Sequence, residues 1–467
     1  MKKTKPIWLS APPFGRLVAR ALPRGQFGRG VTVLAGSTAA AQAIVIVSSP
    51  LITRLFSPSD LGVLAVYASL VGIINIVSGL RYELAIPLPA SDEEAVNVVA
   101  LNLTVTLMTS AALGVLVLLL GRSFGALLHL PTLSPYAWLI PFAVMGAGTY
   151  QALYFFALRK KAFGTVARTR LNQSIGRVAC QSTLGVLRIA PLGLLLADFL
   201  GSTIGIGSLL NLLRSDNQGL TQSISRAGML RAAKRYVRFP MLSTSSGLLA
   251  VAGMATIPIF LTWTQGTEVA GWYALTQRVI GLPVTVIGVA VGETYFGMAA
   301  GLARTNPAAL RSLFKSAALR LFLAGIAPTV IVVAAGPVLF STLFGSSWTT
   351  AGLYARYLAP AFLAMLVTSP LAMTANFLER QDLQLITDGA RAALVVGVFV
   401  VAHRLSWGAS ATILALSAAL LASYGIYFGM YWFLLRGIDA AEPPCESHTP
   451  EAAATPASPS QVPPRGL

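Results

Sequence analysis

Apolar residues in this chain gather in runs separated by short polar stretches. Each run is about 20 residues, the length of helix that crosses roughly 30 Å of hydrocarbon. Twelve such runs are predicted as spans: 31–52, 60–80, 95–120, 136–157, 173–189, 191–213, 240–262, 270–299, 317–340, 353–377, 385–403 and 408–434. The division at Pro191 reads either as a hairpin pair or as one helix broken at the proline, because proline disfavours helix on its N-terminal side. The expected architecture is all-α: a polytopic membrane protein of about twelve transmembrane helices. Its predicted parts are a basic leader (1–30), a six-helix lobe (31–213), a basic linker (214–239), a second six-helix lobe (240–436) and a polar tail (437–467).

Composition supports that class, since 55% of the 467 residues are hydrophobic and only 11% charged, against about 25% charged in an average soluble domain. The formal charge of +18 would suggest nucleic acid in a soluble chain, but here Lys and Arg are spread over loops between apolar runs, where they act as topology signals. With both termini cytoplasmic, 28 of the 34 Lys and Arg fall on the inner side and five (Arg54, Arg122, Arg188, Arg356, Arg404) on the outer side. Arg278 alone is then placed well inside a span. The run after the basic leader is too long for a signal-peptide core, so the leader is expected to stay uncleaved. The basic inner loops 158–172 and 214–239 suit anionic lipid headgroups. The tail, rich in Pro, Ala, Ser and Glu, is expected to be disordered. Cys180 and Cys445 have no metal-ligand spacing, His129, His403 and His448 are isolated, and no Walker-type loop appears. No cofactor, metal or nucleic-acid partner is expected.

A repeat connects the halves. At an offset of 209 residues, Gly62, Ala65, Gly72 and Gly79 fall on Gly271, Ala274, Gly281 and Gly288. Small residues allow close helix approach in lipid, and paired bundles with a site between them are a common transporter plan. Both copies lie in the second span of a six-span half, which predicts parallel repeats related by an axis along the membrane normal.

Two stretches carry a family resemblance. TRLFSPSDLGVLAVYASLVGIINIVSGLRYELAIPLP (53–89), and 239–296 with its GWYALTQRVIGLP run, resemble Wzx-like polysaccharide and O-antigen flippases of the multidrug/oligosaccharidyl-lipid/polysaccharide exporter superfamily. The resemblance implies two six-helix lobes around a central cavity that opens alternately to either side. It also implies a cargo of undecaprenyl-pyrophosphate-linked oligosaccharide, carried from the cytoplasmic to the periplasmic leaflet of the bacterial inner membrane without catalysis. The implied partners are that lipid, membrane lipids, and polysaccharide polymerase and chain-length machinery. The chain departs from the family pattern at STSSG in the seventh span and at Glu293, where Gln is commoner.

A polar headgroup cannot cross hydrocarbon unaided, and Arg suits phosphate because it bonds in bidentate fashion. Arg278 is therefore the first cavity candidate. Its bland alternative is snorkelling to the interface or pairing with a carboxylate. Glu293, expected on the same helix, and Asp198 are candidates for coupling to a proton or cation. The alternative for Asp198 is a hydrogen bond to a neighbouring helix. Arg54 and Arg81 match the family motif and are candidates for headgroup capture or gating, with interfacial anchoring as the alternative. Gln151 and Tyr154, with Tyr150, place polar groups at helical spacing in the fourth span. Two other functions compete: a cation-coupled multidrug exporter of the same superfamily, and a membrane glycan polymerase or ligase. The short outer loops leave an enzyme of that kind little room for a catalytic domain.

Overall fold

A computed structural model describes residues 26–437 except 122, 124, 126–129, 216–219, 289–290, 293–294, 296–297, 300–301, 303–305 and 379. The described residues are mostly helical and contain no strands. The first half runs α1 (Gln26–Leu55), α2 (Pro58–Ser78), α3 (Asp92–Leu120), α4 (Leu139–Arg159), α5 (Phe163–Val186) and α6 (Leu192–Thr203), the last continuing as Ile206–Ser215. A linker helix, Arg226–Arg235, leads to α7 (Thr244–Gln265), α8 (Thr267–Ile280), α9 (Pro307–Phe344), α10 (Thr349–Thr368), α11 (Gln381–Arg404) and α12 (Ala409–Gly437). Nine helices among the described residues are long and apolar enough to cross a membrane, or ten if the bent pair 239–251 and 253–265 is one span. The chain is a multi-pass membrane protein. Val47, Leu118 and Leu119 are each 80% exposed, as side chains facing lipid would be.

Three expectations are corrected. The stretch 158–172 is not a loop, because α5 begins at Phe163 and carries Arg168 and Arg170 on helix. Arg278 and Glu293 do not share one regular helix: α8 ends at Ile280, followed by a π-helical turn over Val284–Gly288. Glu293 itself lies outside the described residues. Third, α9 starts at Pro307 rather than 317, with Asn306 capping it by accepting from the Ala309 amide at 3.0 Å. At Pro191 the chain turns between the separate helices α5 and α6, so the hairpin alternative holds. The leader expectation over 1–25 and the tail expectation over 438–467 lie outside the described residues.

The start of α2 shows how the 53–89 stretch acts physically. Ser57 accepts from the Asp60 amide at 3.2 Å while Asp60 accepts from the Ser57 amide at 2.9 Å, a capping box with Pro58 in the first turn. One turn later Gly62 meets the other half. A Cβ on Gly62 would lie 1.8 Å from the Thr267 carbonyl oxygen, and one on Gly271 would lie 1.7 Å from the Pro58 carbonyl oxygen. The offset of 209 that pairs Gly62 with Gly271 also pairs Pro58 with Thr267, so the contact is reciprocal, as at a two-fold axis. The repeat read from small residues is therefore an interface between its own two copies.

The halves share a core at this end. One buried cluster joins Ile52, Phe56 and Leu61 to Leu275, Phe340, Phe344 and Trp348. The fully buried Trp348 donates its indole N–H to the Thr53 carbonyl at 3.1 Å, and Ser59 hydrogen-bonds Thr267 at 2.9 Å. Toward the opposite end the first half has a cluster of its own, around Phe156, Val166 and Tyr236, while the second half has one that runs from Ala270 and Tyr273 to Phe314 and Tyr427. The halves also meet along α2 and α7, where a Cβ on Gly247 would lie 3.3 Å from Ile76 and 3.5 Å from Arg81.

Candidate functional site

The first half encloses a cavity of about 370 Å³. Its walls are Asn75 of α2, Tyr150, Gln151 and Tyr154 of α4, Arg170, Gln173 and Arg177 of α5, and Ser202 of α6. The α5 residues recur at i, i+3 and i+7, which puts them on one helical face. That polar face explains why α5 is not among the helices apolar enough to cross a membrane by composition alone.

Hydrogen bonds fix most of the wall. Asn75 donates to Gln151 at 2.9 Å, tying α2 to α4, and Gln173 donates to the Ser202 carbonyl at 3.0 Å, tying α5 to α6. Arg170 donates to the Tyr154 hydroxyl at 3.0 Å and to Thr38 of α1, and its guanidinium lies 5.2 Å from the centre of the Tyr154 ring. Tyr150 and Tyr154 stack with ring centres 6.4 Å apart. These contacts hold Arg170 in place while its charge remains uncompensated by any described carboxylate within 4 Å.

Arg177 sits deeper and pairs with Asp198 of α6 at 3.3 Å. The two side chains are 34% and 23% exposed, and Arg177 lines the cavity. Arg278 of α8, on the other half, lies within electrostatic range of both Arg177 and Asp198, and Tyr67 of α2 is also close to Asp198. Two guanidinium groups, Arg177 and Arg278, thus share one carboxylate, and Arg170 adds a further uncompensated charge to the cavity wall. A lone charge at bilayer depth costs about 2.5–3.5 kcal/mol on insertion scales, so such an excess is retained only where water or an anion balances it.

The expected site residues therefore separate into two groups. Gln151 and Tyr154 line the cavity, and Arg278 and Asp198 meet beside it through Arg177. Arg54 is exposed in the last turn of α1 at the pinned end, away from the cavity. Arg81 lies beyond the opposite end of α2, in the left-handed region at φ 60°, and pairs with Glu83 at 3.6 Å. Glu83 is buried and accepts from Asn102 at 3.2 Å; burial pushes its carboxyl above the usual range, against the pull of Arg81 and Asn102. Sequence reasoning misses Arg170 because it assigns 158–172 to a loop, and Arg177 because it counts that residue among the inner-side charges although it falls within the span expected over 173–189. Their spacing with Gln173 is the signal that finds them. Arg278 is also not the sole basic residue inside a span, since Arg177 and Arg391 lie within α5 and α11. Among the described residues no group of three or more His, Cys, Asp or Glu is placed to hold a metal ion.

The two-lobed helical bundle is the fold of membrane transporters of the MOP superfamily. A multidrug resistance MATE family transporter of that superfamily, solved in its inward-facing conformation, superposes with a TM-score of 0.67 at 14% identity, over 86% of this chain and 96% of its own. The lipid II flippase MurJ in an inward closed conformation gives 0.58 at 12% identity, over 87% and 90%. The Vibrio cholerae MATE transporter VcmN, in a mutant form, gives 0.57 at 12% identity, over 90% and 98%. No curated protein matches the chain in sequence. The chain belongs to the polysaccharide biosynthesis protein family, whose model matches residues 51–352.

Proposed function

We propose that this protein is a flippase that carries an undecaprenyl-pyrophosphate-linked oligosaccharide from the cytoplasmic to the periplasmic leaflet of the inner membrane by alternating access. The observation that carries the reading is the excess of guanidinium groups, with Arg170 and Arg177 in the wall of a hydroxyl- and amide-lined cavity and Arg278 near Arg177, in a chain of the polysaccharide family. Arginine forks match phosphate oxygens. Asn75, Gln151 and the two tyrosines offer hydrogen bonds to the adjoining sugar. The cargo's lipid tail would stay in the bilayer, and no bond is made or broken.

The bias of Lys and Arg favours a cytoplasmic location for both termini and for the end of the bundle that carries Arg81, the side on which the cargo is assembled. In that orientation the Gly62–Gly271 contact is a closed periplasmic gate. Arg81 stands at the entry side and Arg54 at the exit side, and Asp198 neutralises Arg177 when cargo is absent. Glu293 would serve coupling. Delivered units would pass to a polymerase and its chain-length machinery. The positive excess argues against a cationic drug as cargo.

In cells depleted of the protein, lipid-linked oligosaccharide is expected to accumulate on the cytoplasmic face. The check is its cleavage by an impermeant glycosidase in inverted vesicles and its protection in right-side-out ones. Normal periplasmic delivery with absent polymer would shift the case to a polymerase or ligase, and an unaltered glycan to a drug exporter.

A further inference from the structure

The second lobe holds a pocket at the position equivalent to the cavity just described. Laying α5 on α11 at an offset of 214 residues puts Arg170, Ser174 and Arg177 on Gln384, Asp388 and Arg391. Gln384, Asp388 and Arg391 line a smaller pocket, of about 120 Å³, between α10, α11 and α12. The cavity in the first lobe is likewise walled by the fourth, fifth and sixth helices of its half. An intramembrane Arg–Asp pair stands at each: Arg177–Asp198 at 3.3 Å and Arg391–Asp388 at 3.2 Å.

The chemistry of the two differs. Around the first, guanidinium groups outnumber carboxylates; in the second, Arg391 balances Asp388 and no further charge lines the wall. Arg391 also donates to the Ala250 carbonyl of α7 at 3.2 Å, and Tyr427 donates its hydroxyl to the Asp388 oxygen that Arg391 holds. Tyr424, Tyr427 and Tyr431 recur on one face of α12, with successive ring centres 6.3 Å apart, and all three are buried. Gln384 Oε1 and Arg391 Nε are buried without a hydrogen-bond partner in the protein. In a bilayer, polar atoms left in that condition are costly.

We infer that this pocket is a glycan subsite: it takes one uncharged sugar ring of the cargo while the cavity of the first lobe takes the phosphates. The inference rests on the flippase reading. A sugar ring presents hydroxyls that both donate and accept, together with apolar C–H faces. A fixed carboxylate, guanidinium and amide beside aromatic rings complement those two features. At about 120 Å³ the pocket is about a third of the size of the first-lobe cavity, which argues against a chain of sugars. A phosphate would face Asp388, and a metal cation would face Arg391, so a neutral polyol is the ligand that the charge balance favours. Specificity follows from the same groups: a site built to bond hydroxyls is left with unpaired polar atoms when the sugar is missing.

The test measures binding to the full chain in lipid nanodiscs with two probes: undecaprenyl pyrophosphate, and the oligosaccharide-bearing lipid extracted from depleted cells. Wild type is expected to prefer the oligosaccharide-bearing lipid by at least about tenfold. Gln384→Ala and Asp388→Asn are expected to remove most of that preference while leaving the affinity for undecaprenyl pyrophosphate unchanged. Gln384→Ala leaves the Arg391–Asp388 pair intact, so a folding failure of Asp388→Asn alone does not obscure the result. Equal binding of the two lipids to wild type would overturn the subsite alone, and so would retention of the preference in both variants. Absence of binding by either lipid would overturn the flippase reading as well.

Discussion

Replacing Gly62 or Gly271 with valine is expected to abolish transport and to lower the melting temperature of the purified protein. A Cβ at either position would stand within 1.8 Å of a backbone carbonyl oxygen of the opposite half. A flexible side chain could move aside, but here the obstacles are the first turns of α2 and α8 themselves. Overpacking of this kind typically costs about 1–3 kcal/mol, and the strain falls on a region where the halves share a core. The two substitutions should have matching effects because the contact is reciprocal. Gly36 provides the control, with nothing within 4 Å of its would-be Cβ. Gly36→Ala should leave transport intact and stabilise α1 by roughly 0.5–1 kcal/mol. The mechanism is checked by labelling Ser59→Cys with an impermeant thiol reagent, which should react faster in the Gly62→Val background. Unchanged labelling and transport would mean that the contact is no gate.

Replacing Arg177 with glutamine is expected to reduce transport by more than about tenfold, the loss of one charge-assisted bond to the cargo and its partner's balance. The substitution also leaves Asp198 without its partner, which costs less than the roughly 3–5 kcal/mol of a fully buried pair because both side chains are partly exposed. Part of any loss could then reflect folding. The double variant Arg177→Gln/Asp198→Asn separates the causes: it removes both charges, so expression and melting temperature should recover while transport stays low. Recovery of transport in the double variant would assign Arg177 a structural role only. Arg278→Gln carries the same expectation without a folding penalty of that kind, since Arg278 is a neighbour of the pair and not its partner.

Hydropathy makes the apolar spans legible because lipid tolerates little else at that depth. It fails where a helix turns a polar face inward. The window average over α5 is lowered by Arg168, Arg170 and Arg177, so the helix reads as a loop followed by a short span starting at 173. Asp388 and Arg391 are hidden for the opposite reason, lying in a run apolar enough to pass as plain lipid-facing helix. The i, i+3, i+7 spacing of Arg170, Gln173 and Arg177 is present in the chain, but choosing it over a basic loop requires knowing that α5 begins at Phe163. Small residues are more informative: the offset that pairs Gly62 with Gly271 locates the contact between the halves, because close backbone approach admits few other residues. Tertiary proximity is the part beyond reach. Nothing along the chain places Arg278 beside Arg177 and Asp198, 101 and 80 positions away.

The most direct measurement is movement of the cargo in proteoliposomes. The purified full chain would be reconstituted into vesicles holding the oligosaccharide-bearing lipid in both leaflets, with an impermeant glycosidase added outside. Cleavage that proceeds through the inner-leaflet pool with wild-type protein, and stops at the outer-leaflet fraction with Arg177→Gln/Asp198→Asn or in empty vesicles, is the predicted result. Cleavage that stops at the outer-leaflet fraction with folded, inserted wild-type protein would contradict a flippase.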